Sequence, residues 1–316
     1  MAASAGSRMG RVAFYGLGFA VLTVGLILVN FLVLSANPVH ETPHYYLALG
    51  DSLSFGYQPT FNFGEGFVDD VYAQQAAAGI TSVTNYACPG ETTATMISGK
   101  CPFKELRHQQ YTGSQLDVAI QFLNAHPERV NPVTLEIGSN DVLPDFDVST
   151  CTAGPSADAD LAIMDANLTE TILPQLTYAM QSPSGGRTGE IHLLNYYDPY
   201  AQACPNSLNY VKTLNTHLAA DAASFNISMI DVYTAFGGDQ SQADHVCNTD
   251  PTVAYTWFCV PQNSDIHPTS KGYSIIATAI INTLGLPGSS KAPIFTNQTS
   301  LPTSITWLRP RGFAHT

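Results

Sequence analysis

A serine in a short Gly-rich turn is the strongest candidate nucleophile in this chain. Ser52 lies in the segment GDSLSFGY (50–57), directly after the hydrophobic run 45–49, which predicts a short buried strand. A strand that enters such a turn holds the serine oxygen clear of the backbone, and the helix that follows can direct N–H groups at a developing oxyanion. Because turns in general use Gly, Asp and Ser, catalysis would require a base and further donors elsewhere in the chain.

The base is best supplied by His267. Of the nine histidines, this one lies in the segment DIHPTSKGY (265–273), a loop directly before the last predicted helix, where Pro268 and Thr269 are typical of a helix start. A histidine in a loop at the edge of an α/β sheet is well placed for catalysis. The alternative is a His–Pro turn that only caps the helix, and His245, in a long segment nearby, is an outside candidate.

Two further loops could supply donors for an oxyanion. The segment NYACPGETT (85–93) follows the second predicted strand, and Gly90 in it offers an unobstructed backbone N–H. The segment EIGSND (136–141) ends the third strand, and Asn140 offers a side-chain amide. Active sites of open α/β sheets gather at the carboxyl ends of the strands. Four such loops carrying Ser, Gly, Asn and His in that order therefore favour a serine hydrolase over four ordinary turns.

These four segments resemble conserved blocks of the SGNH hydrolases, also called GDSL esterases and lipases, in the order of that family. The resemblance covers about residues 45–284. It implies a flavodoxin-like α/β/α sandwich and ester hydrolysis without a metal or other cofactor. Residue by residue, it implies that Ser52 is the nucleophile and His267 the general base and then acid, with Ser52, Gly90 and Asn140 forming the oxyanion hole. Asp51 and Asp141 would hold their loops by hydrogen bonds.

The acid that orients the histidine departs from the family pattern. The usual acid lies three residues before the histidine, where this chain has Ser264, and the carboxylate is Asp265, two residues before. In an extended segment, side chains two residues apart share a face, so Asp265 could reach the imidazole. In a tight turn we expect that it could not, and a backbone carbonyl such as that of Ser264 would then orient His267. We favour Asp265.

Strand-like and helix-like patterns alternate between these loops. Predicted strands cover 45–49, 82–86, 133–137, 190–196 and 227–232, and helical patterns cover 66–78, 114–125, 158–180, 207–223 and 269–284. Strands separated by helices predict a three-layer α/β/α sandwich with a mostly parallel central sheet. The segment 237–263 is long and irregular with exposed aromatics, which predicts a lid-like loop, and 287–316 reads as a Pro/Ser/Thr-rich tail.

The six cysteines all lie after the N-terminal apolar segment, which predicts three disulfides in an oxidising compartment. Sequence allows fifteen pairings, and we expect consecutive pairing because two of the resulting loops are short. Zinc is the competing interpretation, but no CxxC or Cys/His spacing supports it, and we expect no metal. The expected pairs are Cys88–Cys101, Cys151–Cys204 and Cys247–Cys259.

The N-terminal residues predict export. Residues 1–11 carry Arg8 and Arg11, and residues 12–36 hold no charge, which is long enough for a transmembrane anchor; a long signal peptide is the alternative. Residues 37–44 would be a linker and 45–286 the hydrolase domain, outside the membrane because the arginines precede the apolar segment. A membrane contact would then run through 12–36 if it is uncleaved, and the protein would be extracellular or at the cell surface.

The composition excludes some partners and leaves the substrate open. A net charge of −13 with only 12 Lys and Arg in 316 residues argues against nucleic acid. We expect a monomeric esterase or lipase that acts on a small-molecule or lipid ester through an acyl-enzyme. A carbohydrate O-acetylesterase or an acyltransferase on the same scaffold is the alternative within this class. A non-catalytic surface binding module is the alternative outside it, although such a module would be expected to lose Ser52, Asn140 or His267.

Overall fold

Seven strands lie in the part of the chain that the computed structural model describes, residues 44–76 and 79–285. They are β1 (His44–Gly50), β2 (Ile80–Asn85), β3 (Val130–Glu136), β4 (Phe146–Asp147), β5 (Thr152–Ala153), β6 (Ile191–Leu194) and β7 (Ser228–Ile230). Five of them form a fully parallel sheet in the order β2-β1-β3-β6-β7. The short β4 and β5 pair with each other in antiparallel fashion.

Helices cover both faces of the main sheet. In the central strands, runs of consecutive residues are buried, namely residues 46–50 of β1 and 132–136 of β3. Because successive side chains of a strand point to opposite faces, such a run requires cover on both sides. The structure therefore confirms an α/β/α sandwich with a parallel central sheet.

The helices follow the strands in chain order. They are α1 (Ser52–Phe55), α2 (Phe67–Gln75), α3 (Thr93–Ser98), α4 (Gln115–Ala125), α5 (Ser139–Val142), α6 (Ala157–Asn167), α7 (Leu173–Ala179), α8 (Ser207–Ser224), α9 (Val232–Ala235), α10 (Gly238–Val246) and α11 (Ser270–Thr283). A π-helical turn, Leu168–Ile172, joins α6 to α7. The helical pattern predicted over 158–180 therefore forms one continuous helical stretch, which passes through Pro174 and contains one π-helical turn. Two 3₁₀ turns are Lys104–Leu106 and Leu143–Asp145.

Local sequence signals explain several of these boundaries. Ser114 accepts a hydrogen bond from the Asp117 N–H, and the two residues form a capping box that starts α4. The Thr269 side chain caps α11 by accepting from the Gly272 N–H alone. Both caps fix where a helix begins, and the second fixes the distance between α11 and the loop that carries His267.

The segment 237–263 differs from the predicted irregular loop. Its first part is the helix α10, which buries Gln242 and Val246, four residues apart on one face. The sequence GDQSQADHV is too polar to show that periodicity. Its second part contains Trp257, which is only 9% exposed. The prediction of an irregular lid with exposed aromatics is therefore wrong over Gly238–Val246 and at Trp257.

Several predicted segments lie outside the described residues. They are the N-terminal stretch 1–11, the apolar segment 12–36, most of the linker 37–44 and the tail 287–316. The first strand includes His44, one residue earlier than the predicted start of the domain. Among residues 44–76 and 79–285, no helix combines the length and the apolar character that a membrane span requires.

Candidate active site

Ser52 lies just after the carboxyl end of β1, which is an inner strand of the sheet. Gly50 has a positive φ of 137°, and a Cβ there would lie 1.9 Å from the backbone oxygen of Glu136, so only glycine lets β1 and β3 approach this closely. Asp51 then caps the short helix α1, accepting from the Leu53 N–H at 2.9 Å. As a result Ser52 is held at the first position of a helix, with its side chain at the edge of the sheet.

Ser52, His267 and Asp265 form a continuous hydrogen-bonded line. The Oγ of Ser52 lies 2.7 Å from Nε2 of His267, and Nδ1 of His267 lies 2.5 Å from Oδ1 of Asp265. Ser52 is 8% exposed, whereas the imidazole and the carboxylate are partly exposed. A nucleophile, a base and a group that orients the base are thus within hydrogen-bond reach of one another, which is the geometry that serine acyl transfer requires.

Asp265 reaches the imidazole from a bend rather than from an extended segment. Its Oδ1 accepts the backbone N–H of His267 at 2.9 Å and also faces Nδ1 of the same residue. This is an Asx-type contact, in which a carboxylate bonds to the backbone two residues on. The expectation that a turn would keep Asp265 away from His267 is therefore wrong, because the turn itself brings the carboxylate to the ring.

The pKa of Asp265 lies below its ordinary value. Burial raises the pKa of this carboxyl, but the charge of His267 and the hydrogen bonds from its ring and backbone lower it by more. Asp265 is consequently an anion at neutral pH, placed to stabilise a positive imidazolium beside it.

The loop of His267 is held by elements distant in sequence. The Trp257 N–H donates to the His267 carbonyl at 3.0 Å, and the Tyr197 hydroxyl donates to the Ile266 carbonyl at 2.8 Å. The Thr269 N–H and hydroxyl donate to the carbonyls of Tyr255 and Ala254. The second part of the segment 237–263 therefore holds the histidine loop through hydrogen bonds of Ala254, Tyr255 and Trp257.

Three possible oxyanion donors lie in loops that hydrogen bonds connect near Ser52. Within the described residues, the backbone N–H groups of Ser52 and Gly90 donate to no protein acceptor. Gly90 has a φ of 77°, and a Cβ there would lie 2.7 Å from Cγ of Pro102, so the loop needs glycine. The amide of Asn140 donates to Oδ2 of Asp51 and to the Glu91 carbonyl, both at 3.0 Å. Two unpaired N–H groups and a side-chain amide are the components of an oxyanion hole.

Buried carboxyls lie directly behind the nucleophile. Asp51 and Glu136 are fully buried or nearly so, and their carboxyl groups hydrogen bond to each other. Burial raises the pKa of both, and the Asp51 charge raises the pKa of Glu136 further, well above its ordinary value. Two carboxylates in contact would repel, so Glu136 is the protonated partner and donates to Asp51. Ser139 Oγ donates to the same aspartate at 3.2 Å.

Further buried polar residues join the loops. Gln115 donates to the Gly50 carbonyl and to Oε2 of Glu91, both at 2.9 Å, and accepts the Gly50 N–H at 2.6 Å. Asp141 accepts from the N–H and hydroxyl of Thr93, the latter at 2.5 Å. Burial raises the pKa of Asp141 to about 6. Asp51 and Asp141 thus make the loop contacts that the family resemblance implies.

Sequence reasoning missed four residues at this site. They are Glu91, Gln115, Glu136 and Tyr197. Glu136 and Glu91 stand in the quoted segments EIGSND and ACPGETT, and a carboxyl inside an otherwise apolar strand end is a signal that could have identified Glu136. Gln115 and Tyr197 act through their position in the fold, and no local pattern marks them.

Three disulfides lie in the domain, as the cysteine count predicts. The bonded pairs are Cys88–Cys101, Cys151–Cys204 and Cys247–Cys259. The first closes the loop that carries Gly90, and the third closes the loop that carries Trp257. Two disulfides therefore stabilise segments that border the candidate active site.

One group of side chains in the described residues has the spacing of metal ligands. It consists of Cys88, Glu91 and Cys101. Both cysteine sulfurs belong to the same disulfide, so neither is a thiolate that could bind a metal.

Comparisons with known proteins identify a family and a shared fold. The sequence model of the GDSL-like Lipase/Acylhydrolase family matches residues 48–275, and no curated protein matches the chain. Among solved structures, the lipase Lip_vut3 from a goat rumen metagenome has 16% identity and a TM-score of 0.51, covering 76% of this chain and 96% of its own. A protein from Parabacteroides merdae assigned as a GDSL-like lipase has 14% identity and a TM-score of 0.51, covering 78% and 97%. At these identities, the two structures show a shared fold.

Proposed function

The chain belongs to the GDSL-like lipase/acylhydrolase family and is a carboxylic ester hydrolase, and we propose that it acts as an exported serine esterase with Ser52 as its nucleophile. The observation that carries this proposal is the line from Ser52 Oγ through His267 to Asp265, at 2.7 Å and 2.5 Å.

The reaction proceeds in two halves. Nε2 of His267 takes the proton of Ser52 as its Oγ bonds to the ester carbonyl carbon, and the imidazolium then gives that proton to the alcohol oxygen as the ester C–O bond breaks. In the second half, His267 takes a proton from water, the resulting hydroxide attacks the acyl carbon, and the proton returns to Ser52 as the acid leaves. Asp265 orients the ring and stabilises its positive charge in both halves.

Oxyanion stabilisation comes from Ser52, Gly90 and Asn140. The backbone N–H groups of Ser52 and Gly90 have no protein acceptor among the described residues, so both are available to an oxyanion. The amide of Asn140 shares its protons with Asp51 and Glu91, so a developing oxyanion competes for one of them as its charge grows. Such a donor is worth more in the transition state than with bound substrate, which is the requirement for raising kcat.

The contribution of Asn140 can be separated from its bond to Asp51. We expect Asn140→Ala to lower kcat by about 10²–10³ with little change in KM. Ser139→Ala is the matched control, because it also removes a hydrogen bond to Asp51 and leaves the amide donor in place. Equal losses in the two variants would show that the effect comes from Asp51 and not from the oxyanion.

The decisive test of the nucleophile is Ser52→Ala. We expect the wild-type protein to hydrolyse nitrophenyl acetate and to be labelled by a fluorophosphonate, because only an activated serine reacts with that reagent. The variant should do neither while its circular dichroism stays unchanged. Undiminished turnover in a folded Ser52→Ala variant would refute the assignment, and a wild-type protein that binds esters without turnover or labelling would indicate a binding module.

Export and substrate class form the remaining parts of the proposal. Three disulfides are typical of a protein that folds in an oxidising compartment, which supports a secreted or membrane-anchored location. We propose a monomer that acts on a small-molecule or lipid ester. A panel of fatty acyl esters and acetylated sugars, run on wild type and Ser52→Ala together, separates lipase-like activity from carbohydrate deacetylation.

A further inference from the structure

A loop whose two ends are in contact follows directly after α1, the helix that begins with Ser52. Its two ends, Gly56 and Gly66, are in contact, because a Cβ on Gly56 would lie 2.9 Å from Cα of Gly66. Loops whose ends meet and whose interior is packed by their own side chains are compact units that often carry function. We call residues 56–66 the Gly56–Gly66 loop.

Buried hydrogen bonds fix this loop to the support of the catalytic histidine. Gln58 is fully buried, accepts from the indole N–H of Trp257 at 3.3 Å and donates to the Asn62 carbonyl at 3.1 Å. The Tyr273 hydroxyl donates to the Tyr57 carbonyl at 2.8 Å. The loop is therefore held in one position relative to the histidine loop.

A row of aromatic rings runs along the loop away from His267. The ring of Tyr57 lies 4.6 Å from the imidazole, Phe63 stacks on Tyr57 at 5.7 Å, and Phe61 meets Phe63 edge-on at 6.0 Å. Phe61 is 49% exposed and has a φ of 62°. Left-handed backbone is unfavourable for a bulky side chain, and such conformations cluster at ligand sites. We call Tyr57, Phe63 and Phe61 the aromatic row.

We propose that the aromatic row binds the alcohol part of the ester, and that this alcohol is apolar. This inference rests on the proposed function, in which Nε2 of His267 gives its proton to the leaving oxygen. That oxygen must therefore lie beside the imidazole when the C–O bond breaks. The ring of Tyr57 lies beside that imidazole, so an alkyl or aryl group attached to the oxygen can continue over Tyr57 and Phe63 to Phe61.

Two polar side chains of the loop, those of Gln58 and Glu65, are engaged by hydrogen bonds within the protein, whereas Thr60 and Asn62 beside Phe61 are exposed. Both ends of the Gln58 amide are used inside the protein, and Glu65 accepts a hydrogen bond from the Ser270 hydroxyl. A sugar would need polar partners beside an aromatic platform, whereas an alkyl or aryl group needs only the ring surfaces. Because its three rings adjoin one another from His267 outward, the row offers a continuous apolar surface, which favours an apolar alcohol.

Two ester series measured below their solubility limits test this proposal. The alcohol series holds the acid constant as acetate and lengthens the alcohol from ethyl to octyl; the acyl series holds the alcohol as ethyl and lengthens the acid from acetate to octanoate. We expect wild-type kcat/KM to rise along the alcohol series, and Phe61→Ser to reduce the value for octyl acetate by about tenfold relative to ethyl acetate. The acyl series should keep its wild-type slope.

Tyr178→Ser is the matched control, because Tyr178 is 75% exposed and lies on α7, outside the loops of the site. Both series should be unchanged in it. The proposal is overturned if Phe61→Ser leaves the alcohol series unaltered, flattens the acyl series instead, or lowers both by the same factor. A failure of the proposed function looks different, since Ser52→Ala would then hydrolyse every ester in both series.

Discussion

Replacing Asp265 separates its charge from its role in orienting His267. Its Oδ1 makes two contacts, with the His267 N–H at 2.9 Å and with Nδ1 at 2.5 Å. In Asp265→Asn, the amide oxygen can keep both contacts, because the backbone N–H demands an acceptor and so disfavours the flipped amide. The asparagine therefore preserves the orientation of the ring and removes only the negative charge. Asp265→Ala removes both.

The size of each loss follows from electrostatics and from the template of serine catalysis. Two unit charges about 4 Å apart interact by about 4 kcal/mol at an effective dielectric constant of about 20. Partial exposure of both side chains, 19% for His267 and 25% for Asp265, screens part of this energy. We expect Asp265→Asn to lower kcat/KM by about 10²-fold and Asp265→Ala by about 10⁴-fold.

The assay is hydrolysis of nitrophenyl acetate as a function of pH, with Ser264→Ala as the control. That control removes a hydroxyl that donates to the Phe258 carbonyl at 2.6 Å and keeps the Ser264 carbonyl. Because the folded pKa of Asp265 is lowered, its ionised form and its contribution persist until the pH falls through that lowered value, below 3.8. An Asp265→Ala variant within about tenfold of wild type would refute the reasoning and assign the orienting role to a backbone carbonyl.

Three further predictions concern the surroundings of the site. Glu136→Gln keeps a donor to Asp51 and should retain stability, whereas Glu136→Ala should lower the free energy of unfolding by about 1–3 kcal/mol in denaturant titrations; equal losses would show that Glu136 is not a donor. The double variant Cys88→Ser/Cys101→Ser should lose kcat more than it raises KM, because the loop of the oxyanion donor is no longer closed. Stability should fall as pH rises from about 4 to 7: the pKa of Asp141 is raised from 3.8 to about 6 by burial, so the folded state holds its proton longer. Asp141→Asn should flatten this slope in thermal unfolding, and an unchanged slope would contradict the assignment.

The fold and the four loops could be predicted because each rests on local signals. A buried strand followed by small and polar residues marks β1, β2 and β3, and the N-caps Ser114 and Thr269 mark two of the helices. Parallel order then brings the strand ends to one edge. These signals depend on neighbouring residues, which is why pattern reasoning finds them.

The contact of Asp265 with His267 could not be predicted in this way. Its existence depends on whether the chain bends at residues 266–267. Hydrogen bonds from Trp257 and from Tyr197, the latter 69 residues before its partner Ile266, hold that bend. The helix α10 escaped prediction for a related reason. Its buried face consists of a glutamine and a valine, and Gln242 is buried because it accepts the backbone N–H of Asp198.

The buried Asp51 explains why the loops of the site act as one unit. A carboxylate this deeply buried is stable only if several donors satisfy it. Its donors come from its own helix through Leu53, from the loop after β3 through Ser139 and Asn140, and from the protonated Glu136 at the end of that strand. The residue that places the nucleophile thus also holds the amide proposed for the oxyanion. A change that displaces Asp51 therefore displaces both Ser52 and the Asn140 amide, and the two groups keep their positions relative to each other.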